Sequence, residues 1–284
     1  MNGGAVLAGV VGFPIGHSLS PRLHLFWLKE LGIAGAYVPL AVTREDFARA
    51  IDGLRNAGFA GVNVTVPHKQ AAHALAHAVD EGAQKTGAAN LLIFQSDGTI
   101  HAQNTDVDGL CTSLREEIGI DRLRGRHIVL LGAGGVARAA VLALDRLGAR
   151  EIRILNRDAI RAITLAAELQ AQVGAKLLPL SWEEWRMAAS GAALLVNATN
   201  GGMVGSRPLD ISLDPLPPEA AVYDLVYNPL ETELVKDARR RGHLAANGLE
   251  MLMYQAVPAF AAFYGATPEV TAALRAHLEA ALRT

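Results

Sequence analysis

Lys69 ends the segment Asn63-Val64-Thr65-Val66-Pro67-His68-Lys69, which reads as a strand with the wrong residues for pure packing. Alternation puts Val62, Val64 and Val66 on one face and Asn63 and Thr65 on the other. A buried parallel strand normally reads as an unbroken apolar run. Here one face carries an amide and a hydroxyl, Pro67 stops the ladder, and an ammonium follows. Because ligands of open α/β sheets bind outside the carboxyl ends of strands, this segment is suited to a small polar ligand with a cation at its rim. An edge strand with a wetted face and a surface lysine is the plainer alternative. Three more polar clusters lie beside turns: Gly16-His17-Ser18-Leu19-Ser20-Pro21, Gly87-Ala88-Ala89-Asn90 and Asn104-Thr105-Asp106. Each also has a plain reading, with Ser20 and Asp106 as helix caps and Asn90 as a turn residue.

A second kind of chemistry is written in glycine. The strand His127–Leu131 runs into Gly132-Ala133-Gly134-Gly135-Val136-Ala137 and an apolar-periodic helix, the G-x-G-x-x-A form of a dinucleotide fingerprint. Gly132 permits the tight turn, Gly134 lets backbone approach a pyrophosphate, and Ala137 allows close helix–strand packing. Amides at the helix start, from Ala133 to Gly135, supply an anion site. An NAD site places an acid at the end of the next strand, but Glu151–Leu155 ends in Asn156-Arg157, with Arg161 in the following helix. Guanidinium groups match phosphate oxygens in pairs, which favours NADP. Asp158 complicates this reading, since it could pair with either arginine or accept from a ribose.

The elements that must hold these groups alternate along the chain. Strands are expected at Ala5–Val11, Tyr37–Val42 and the polar segment, with helices at Pro21–Leu31 (Ser20 as N-cap), Phe47 onward (Thr43 as cap) and Gln70–Val79. A hairpin joins Leu91–Phe94 to Thr99–Ala102 through Ser96-Asp97-Gly98, and a long helix opens near Asp106. The second unit adds strands at Leu177–Leu180, Leu194–Asn197 and Val222–Leu225, and helices at Gly248–Tyr264 and Pro268–Leu282 close the chain. The fold expected is α/β with two domains. Residues 1–105 plus 243–284 form an α/β substrate-binding domain completed by C-terminal helices, and 106–242 form a Rossmann-type NADP-binding domain, with the ligand cleft between them.

Bulk properties narrow the classes. With 284 residues, half of them hydrophobic, the chain can fill two cores and disorder is excluded. A net charge of −2 with no basic face argues against nucleic acid. Met1–Val11 lacks a basic leader and no apolar run is long enough to span a bilayer, so a soluble, cytoplasmic protein is expected, as a monomer or homodimer. The single cysteine, Cys111, excludes an internal disulfide framework and falls on an apolar helical stripe. His73 and His77 have metal-helix spacing but no third ligand, so no metal is expected.

Taken in order, the motifs resemble those of the shikimate dehydrogenase family over nearly the whole chain. The matches are His17 to Pro21, Asn63 to Lys69, Gly87 to Asn90, Asn104 to Asp106, the glycine loop, Asn156-Arg157 with Arg161, Asn197-Ala198-Thr199, Tyr223-Asp224 with Tyr227, and Gly248-Leu249 with Met251, Leu252 and Gln255. The resemblance implies NADPH-dependent reduction of 3-dehydroshikimate to shikimate in chorismate biosynthesis. It implies that Ser18, Ser20 and Tyr227 bind the substrate carboxylate, and that Thr65, Lys69, Asn90, Asp106 and Gln255 surround the ring hydroxyls and the reacting carbonyl. Lys69 and Asp106 are the catalytic pair it points to. Gly132, Ala133, Gly134, Gly135, Asn156, Arg157, Arg161 and Gly248 are expected at the cofactor. Rivals are an NAD-using quinate/shikimate dehydrogenase working catabolically, which Asp158 favours, and a non-catalytic shikimate sensor, which the retention of Lys69 and Asp106 opposes. The sequence departs from the family pattern at His68, read as facing solvent, at Leu91 and at Asp158. Trp182 and Trp185 read as covering the second sheet.

Overall fold

A computed structural model describes residues 4–283; the first residues of the Met1–Val11 reading, 1–3, lie outside it. Two compact units emerge. One takes the chain up to Thr105 and resumes at Met253; the other runs from Asp106 to Leu252.

The first unit begins β1 (Val6–Gly12), α1 (Ser20–Glu30), β2 (Gly35–Ala41), α2 (Phe47–Asn56), β3 (Gly61–Val64) and α3 (Lys69–Leu75). It continues with β4 (Ala78–Val79), α4 (Glu81–Thr86), β5 (Leu91–Phe94) and β6 (Ile100–Gln103). The sheet order is β2-β1-β3-β5-β6-β4. β1 pairs parallel with both β2 and β3, whereas β3, β5 and β6 form antiparallel pairs. β3 is therefore interior, flanked on both sides, and the edge-strand alternative for it is wrong. One core layer gathers Val11, Ile51, Val62, Val64 and Leu92. The other gathers Ala8, Val10, Tyr37, Leu91 and Phe263.

In the second unit come α5 (Asp106–Glu117), β7 (His127–Leu131), α6 (Gly135–Arg146), β8 (Glu151–Leu155), α7 (Ala159–Leu169) and β9 (Lys176–Leu180). After them come α8 (Trp185–Ala189), β10 (Ala192–Asn197), β11 (Ala221–Asp224), α9 (Glu233–Arg240) and β12 (Ala245–Asn247). Its sheet order is β12-β11-β10-β7-β8-β9, with every neighbouring pair parallel. Counted from β7, this is the doubly wound order of nucleotide-binding sheets, which changes direction between β7 and β10. Burial on both faces explains the apolar runs: Ile128, Val129, Leu130 and Leu131 are all fully buried. The chain then enters α10 (Leu249–Tyr264), which begins in the second unit and ends in the first, followed by α11 (Ala272–Leu282).

Four local expectations need correction. The return boundary lies after Leu252 and not after residue 242, because β12 pairs parallel with β11 and belongs to the second sheet. Ser20 is the first residue of α1, which has no side-chain cap. Asp46, not Thr43, precedes α2; Thr43 bonds to Asp46 at 3.2 Å instead of capping. The helix expected to reach Val79 stops at Leu75, and Ala78–Val79 pair with β6.

Candidate active site

In the first unit the polar face of β3 is turned inward. Asn63 is buried; Tyr37 Oη donates to its Oδ1 at 2.8 Å, and its Nδ2 donates to the Asn90 carbonyl at 3.1 Å. The amide that marked this strand as a ligand strand thus locks β3 to the loop before β5. Thr65 lies just beyond β3 and is partly exposed, its N–H donating to the Val11 carbonyl at 2.9 Å. Lys69 opens α3, and its carbonyl accepts from Ala89 N–H at 2.8 Å, which ties the lysine segment to the Gly87–Asn90 loop.

His68 does not face solvent. It is buried, stacks on Phe47 with ring centroids 4.6 Å apart, and its Nε2 donates to the Val42 carbonyl at 2.8 Å. A carbonyl only accepts, so Nε2 carries the proton in the neutral ring. Burial, aided by the nearby Arg44, lowers its pKa from the ordinary imidazole value. The residue before Lys69 is therefore an anchor for the turn that presents it.

Asn90 and Gln255 are brought together, with Thr105 between them. Asn90 Nδ2 donates to Thr105 Oγ1 at 2.9 Å and to Gln255 Oε1 at 3.1 Å, and its Oδ1 accepts from Thr105 N–H at 2.7 Å. Thr105 Oγ1 in turn donates to the Gln255 carbonyl at 2.8 Å. The neighbouring Asn104 holds the Ala88 carbonyl at 2.9 Å. Thr105 was not among the expected site residues, although it sits inside the Asn-Thr-Asp motif that carried the signal. Ser18 is partly exposed and its Oγ accepts from Ser20 N–H at 3.3 Å; Ser20 itself is mostly buried.

Asp106 is the first residue of α5 and is buried, with Asp108 in the same turn. Tyr227 is partly buried in the loop after β11. Asn197, at the end of β10, organises the bend that follows. Its Oδ1 accepts from Thr199 N–H and Oγ1, and its Nδ2 donates to Asp224 Oδ1 at 2.8 Å. Asp224 also accepts from Thr232 Oγ1 and Val226 N–H. Burial outweighs these donors and pushes its carboxyl up to about 6.

The glycine loop lies where the sheet order reverses. Gly132 has φ +111°, and a Cβ there would come within 2.7 Å of the Ala198 carbonyl oxygen, so only glycine joins β7 to the loop beside β10. Gly134, by contrast, faces open space: a Cβ there meets nothing within 4 Å. It sits at the N-terminus of α6, where free amides and the helix dipole suit a pyrophosphate. Ala137 is fully buried against the strand. Gly248 has a different reason to be glycine, since a Cβ there would collide with the Leu225 carbonyl oxygen at 2.1 Å.

At the end of β8, Asn156 Nδ2 donates to the Asp158 carbonyl at 2.9 Å. The Asp158 carboxylate accepts from Ile160 N–H at 3.1 Å and caps α7. Arg157 and Arg161 are exposed, and the Arg157 guanidinium lies 5.9 Å from the centre of the Trp182 ring. An open cleft of about 710 Å³ borders this pair. Trp185 is buried over the sheet and its indole N–H donates to the Ser212 carbonyl at 2.8 Å, while Trp182, partly buried, packs against the same core.

His77 lies past the end of α3, and its Nδ1 accepts from Ile100 N–H, so the metal-helix spacing with His73 is not realised. Among the described residues no group of three or more His, Cys, Asp or Glu side chains could hold a metal ion. Cys111 is buried, with its thiol pushed up to about 11. Among the described residues no helix is long and apolar enough to cross a membrane.

Comparison with known proteins agrees with this architecture. Residues 10–92 match the model of the shikimate dehydrogenase substrate binding domain, and 114–200 match that of shikimate/quinate 5-dehydrogenase. The NADP(+) shikimate dehydrogenase of Rhodospirillum rubrum is 48% identical over 97% of this chain and 98% of its own. The chain belongs to the shikimate dehydrogenase family. Two solved structures are similar to it over nearly their whole length. The Thermus thermophilus shikimate 5-dehydrogenase, in complex with NADP(H) and shikimate, has a TM-score of 0.82 and 35% identity, covering 98% of each chain. A quinate dehydrogenase from Corynebacterium glutamicum, in complex with NAD, has a TM-score of 0.87 and 30% identity, covering 99% of each.

Proposed function

We propose that this member of the shikimate dehydrogenase family reduces 3-dehydroshikimate to shikimate with NADPH, as a cytoplasmic enzyme of the chorismate pathway. The observation that carries the cofactor choice is the end of β8. Two exposed guanidinium groups, Arg157 and Arg161, stand where an NAD site needs an acid, while the adjacent Asp158 carboxylate caps α7. The amides from Ala133 to Gly135 would hold the pyrophosphate, with Asn156 and the two arginines at the phosphorylated ribose and Gly248 toward the nicotinamide end. When bound, NADPH supplies the hydride.

The chain's own groups supply the rest. Reduction of the ketone leaves an alkoxide that needs a proton and charge stabilisation. Lys69 is the proposed donor at that oxygen, and Asp106 the proposed acceptor from a ring hydroxyl. Asn90, held by Thr105 and Gln255 through three hydrogen bonds, would face the ring hydroxyls together with Thr65 and Gln255. Ser18 and Ser20, with Tyr227, would take the substrate carboxylate.

The experiment is a rate comparison with NADP+ and NAD+ on shikimate and on quinate, following reduced nicotinamide by absorbance. NADP+ with shikimate is expected to give the highest kcat/KM. Preference for NAD+ with quinate would move the chain to the catabolic quinate/shikimate branch. Absence of turnover despite shikimate binding would make it a sensor.

A further inference from the structure

Trp182 stands beside Arg157 because of strand register. Leu155 of β8 pairs with Leu180 of β9, so Arg157 and Trp182, each two residues past its strand, leave the sheet side by side. The turn that carries Trp182 is rigid. Ser181 and Glu184 form a capping box, with Ser181 N–H donating to the Glu184 carboxylate at 2.7 Å, and the next residue, Trp185, is anchored in the core. Trp182 itself is only partly buried, and the guanidinium carbon of Arg157 sits 5.9 Å from the centre of its ring. That is within range of an attraction between a cation and the ring's negative face. Both residues border the cleft, with Glu183, Arg207, Pro208, Leu209 and Asp210.

This cleft is not simply cationic. Glu183 and Asp210 line it together with Arg157 and Arg207, so net charge alone does not select a phosphate. Selection then depends on which guanidinium is held at the end of β8. An unrestrained arginine loses side-chain entropy on binding. An arginine already resting on an indole loses less.

We propose that Trp182 is a specificity-determining residue. Its indole face holds the Arg157 guanidinium at the end of β8, so that the cleft discriminates a 2′-phosphorylated adenosine from an unphosphorylated one. This rests on the NADP reading above and deepens it, by assigning part of the discrimination to a residue outside the Asn156–Arg161 segment.

The test is calorimetric titration of the full chain with adenosine 2′,5′-bisphosphate and with adenosine 5′-monophosphate. It compares wild type, W182F, W182L, R157K and the W182L/R157K double variant, with thermal melts to confirm folding. Wild type should bind the bisphosphate more tightly. W182L should lose about three- to fivefold of that preference, the size of an exposed cation–π contact, with monophosphate affinity unchanged. W182F keeps an aromatic face and should retain most of the preference. R157K should lose preference, and W182L should add nothing further in its presence. A W182L preference equal to wild type, equal losses for both nucleotides, or additive losses in the double variant would each overturn the proposal. If W182L does not fold, W182Q, which also removes the aromatic face, takes its place with the same expected and overturning results. A wild type that fails to prefer the bisphosphate sinks the NADP reading itself, a distinguishable result.

Discussion

Each unit of this protein buries an ionisable side chain completely, and the two treat its proton in opposite ways. In the first, His24 of α1 is fully buried, stacked on Tyr37 with centroids 3.9 Å apart, and neither ring nitrogen has a hydrogen-bond partner among the described residues. Burial lowers its pKa from 6.5 to about 3, so it folds as a neutral aromatic ring. In the second, Asp224 accepts from Asn197, Val226 and Thr232, yet burial still raises its carboxyl to about 6. One site has no partners and excludes a proton; the other is fully partnered and attracts one. Hydrogen bonds orient Asp224 without cancelling its desolvation, which is why a satisfied group still titrates far from its usual range. In the function proposed above, the first unit contributes side chains, whereas the second adds backbone amides around glycine to the side chains of Asp106, Asn156, Arg157, Arg161 and Tyr227.

That division fails or sharpens first at Lys69. Lys69→Ala is expected to lower kcat by about 10²- to 10⁴-fold, the usual contribution of a positioned proton donor, with dinucleotide affinity unchanged. Steady-state kinetics beside dinucleotide titration checks it; near-normal turnover removes Lys69 from the mechanism, and an equal loss of dinucleotide affinity breaks the division of labour. The next effect is the acid response of the first unit. His24 has a depressed folded pKa, so its contribution is complete above pH 6.5 and is lost as pH falls toward 3. Between pH 6.5 and about pH 4 this amounts to roughly 3 kcal/mol. Denaturant unfolding across that range should show His24→Phe losing less stability than wild type, and parallel profiles would contradict it. The smallest effect has the opposite sign. Asp224 has a raised folded pKa, so its contribution is complete below 3.8 and is lost as pH rises through about 6. Relative to Asp224→Asn, wild type should lose about 2 kcal/mol across that window. A difference between the two that does not change with pH would show that the carboxyl is not held protonated.

Much of the second unit was legible, because its signals are local. The apolar run of β7, the glycines and the small Ala137 are neighbours in sequence, although the close approach that requires Gly132 is to Ala198, beyond β10. β12 was missed because three residues, Ala245–Asn247, carry no periodicity; only pairing with β11 makes them a strand. In the first unit the positions of the polar residues could be read, but not what they touch. Asn63 faces inward because Tyr37 and Asn90 wait there, and His68 is buried because Phe47 stacks on it, partners set by tertiary packing. Trp182 beside Arg157 is a matter of register between β8 and β9, which composition does not encode.

The interruption of the first unit also orders how the molecule is made. The ribosome delivers residues 106–252 as one continuous stretch, so that unit has its whole sequence while the other still lacks its last two helices. Those helices and the segment joining them supply Phe260 and Phe263 around His24, the Tyr264 hydroxyl that donates to Ala36, and the Glu269 carbonyl that receives the Trp27 indole N–H. Until they emerge, the imidazole lacks the rings that complete its burial. A nascent chain cut short before Phe260 would therefore leave open a ring that the finished protein encloses.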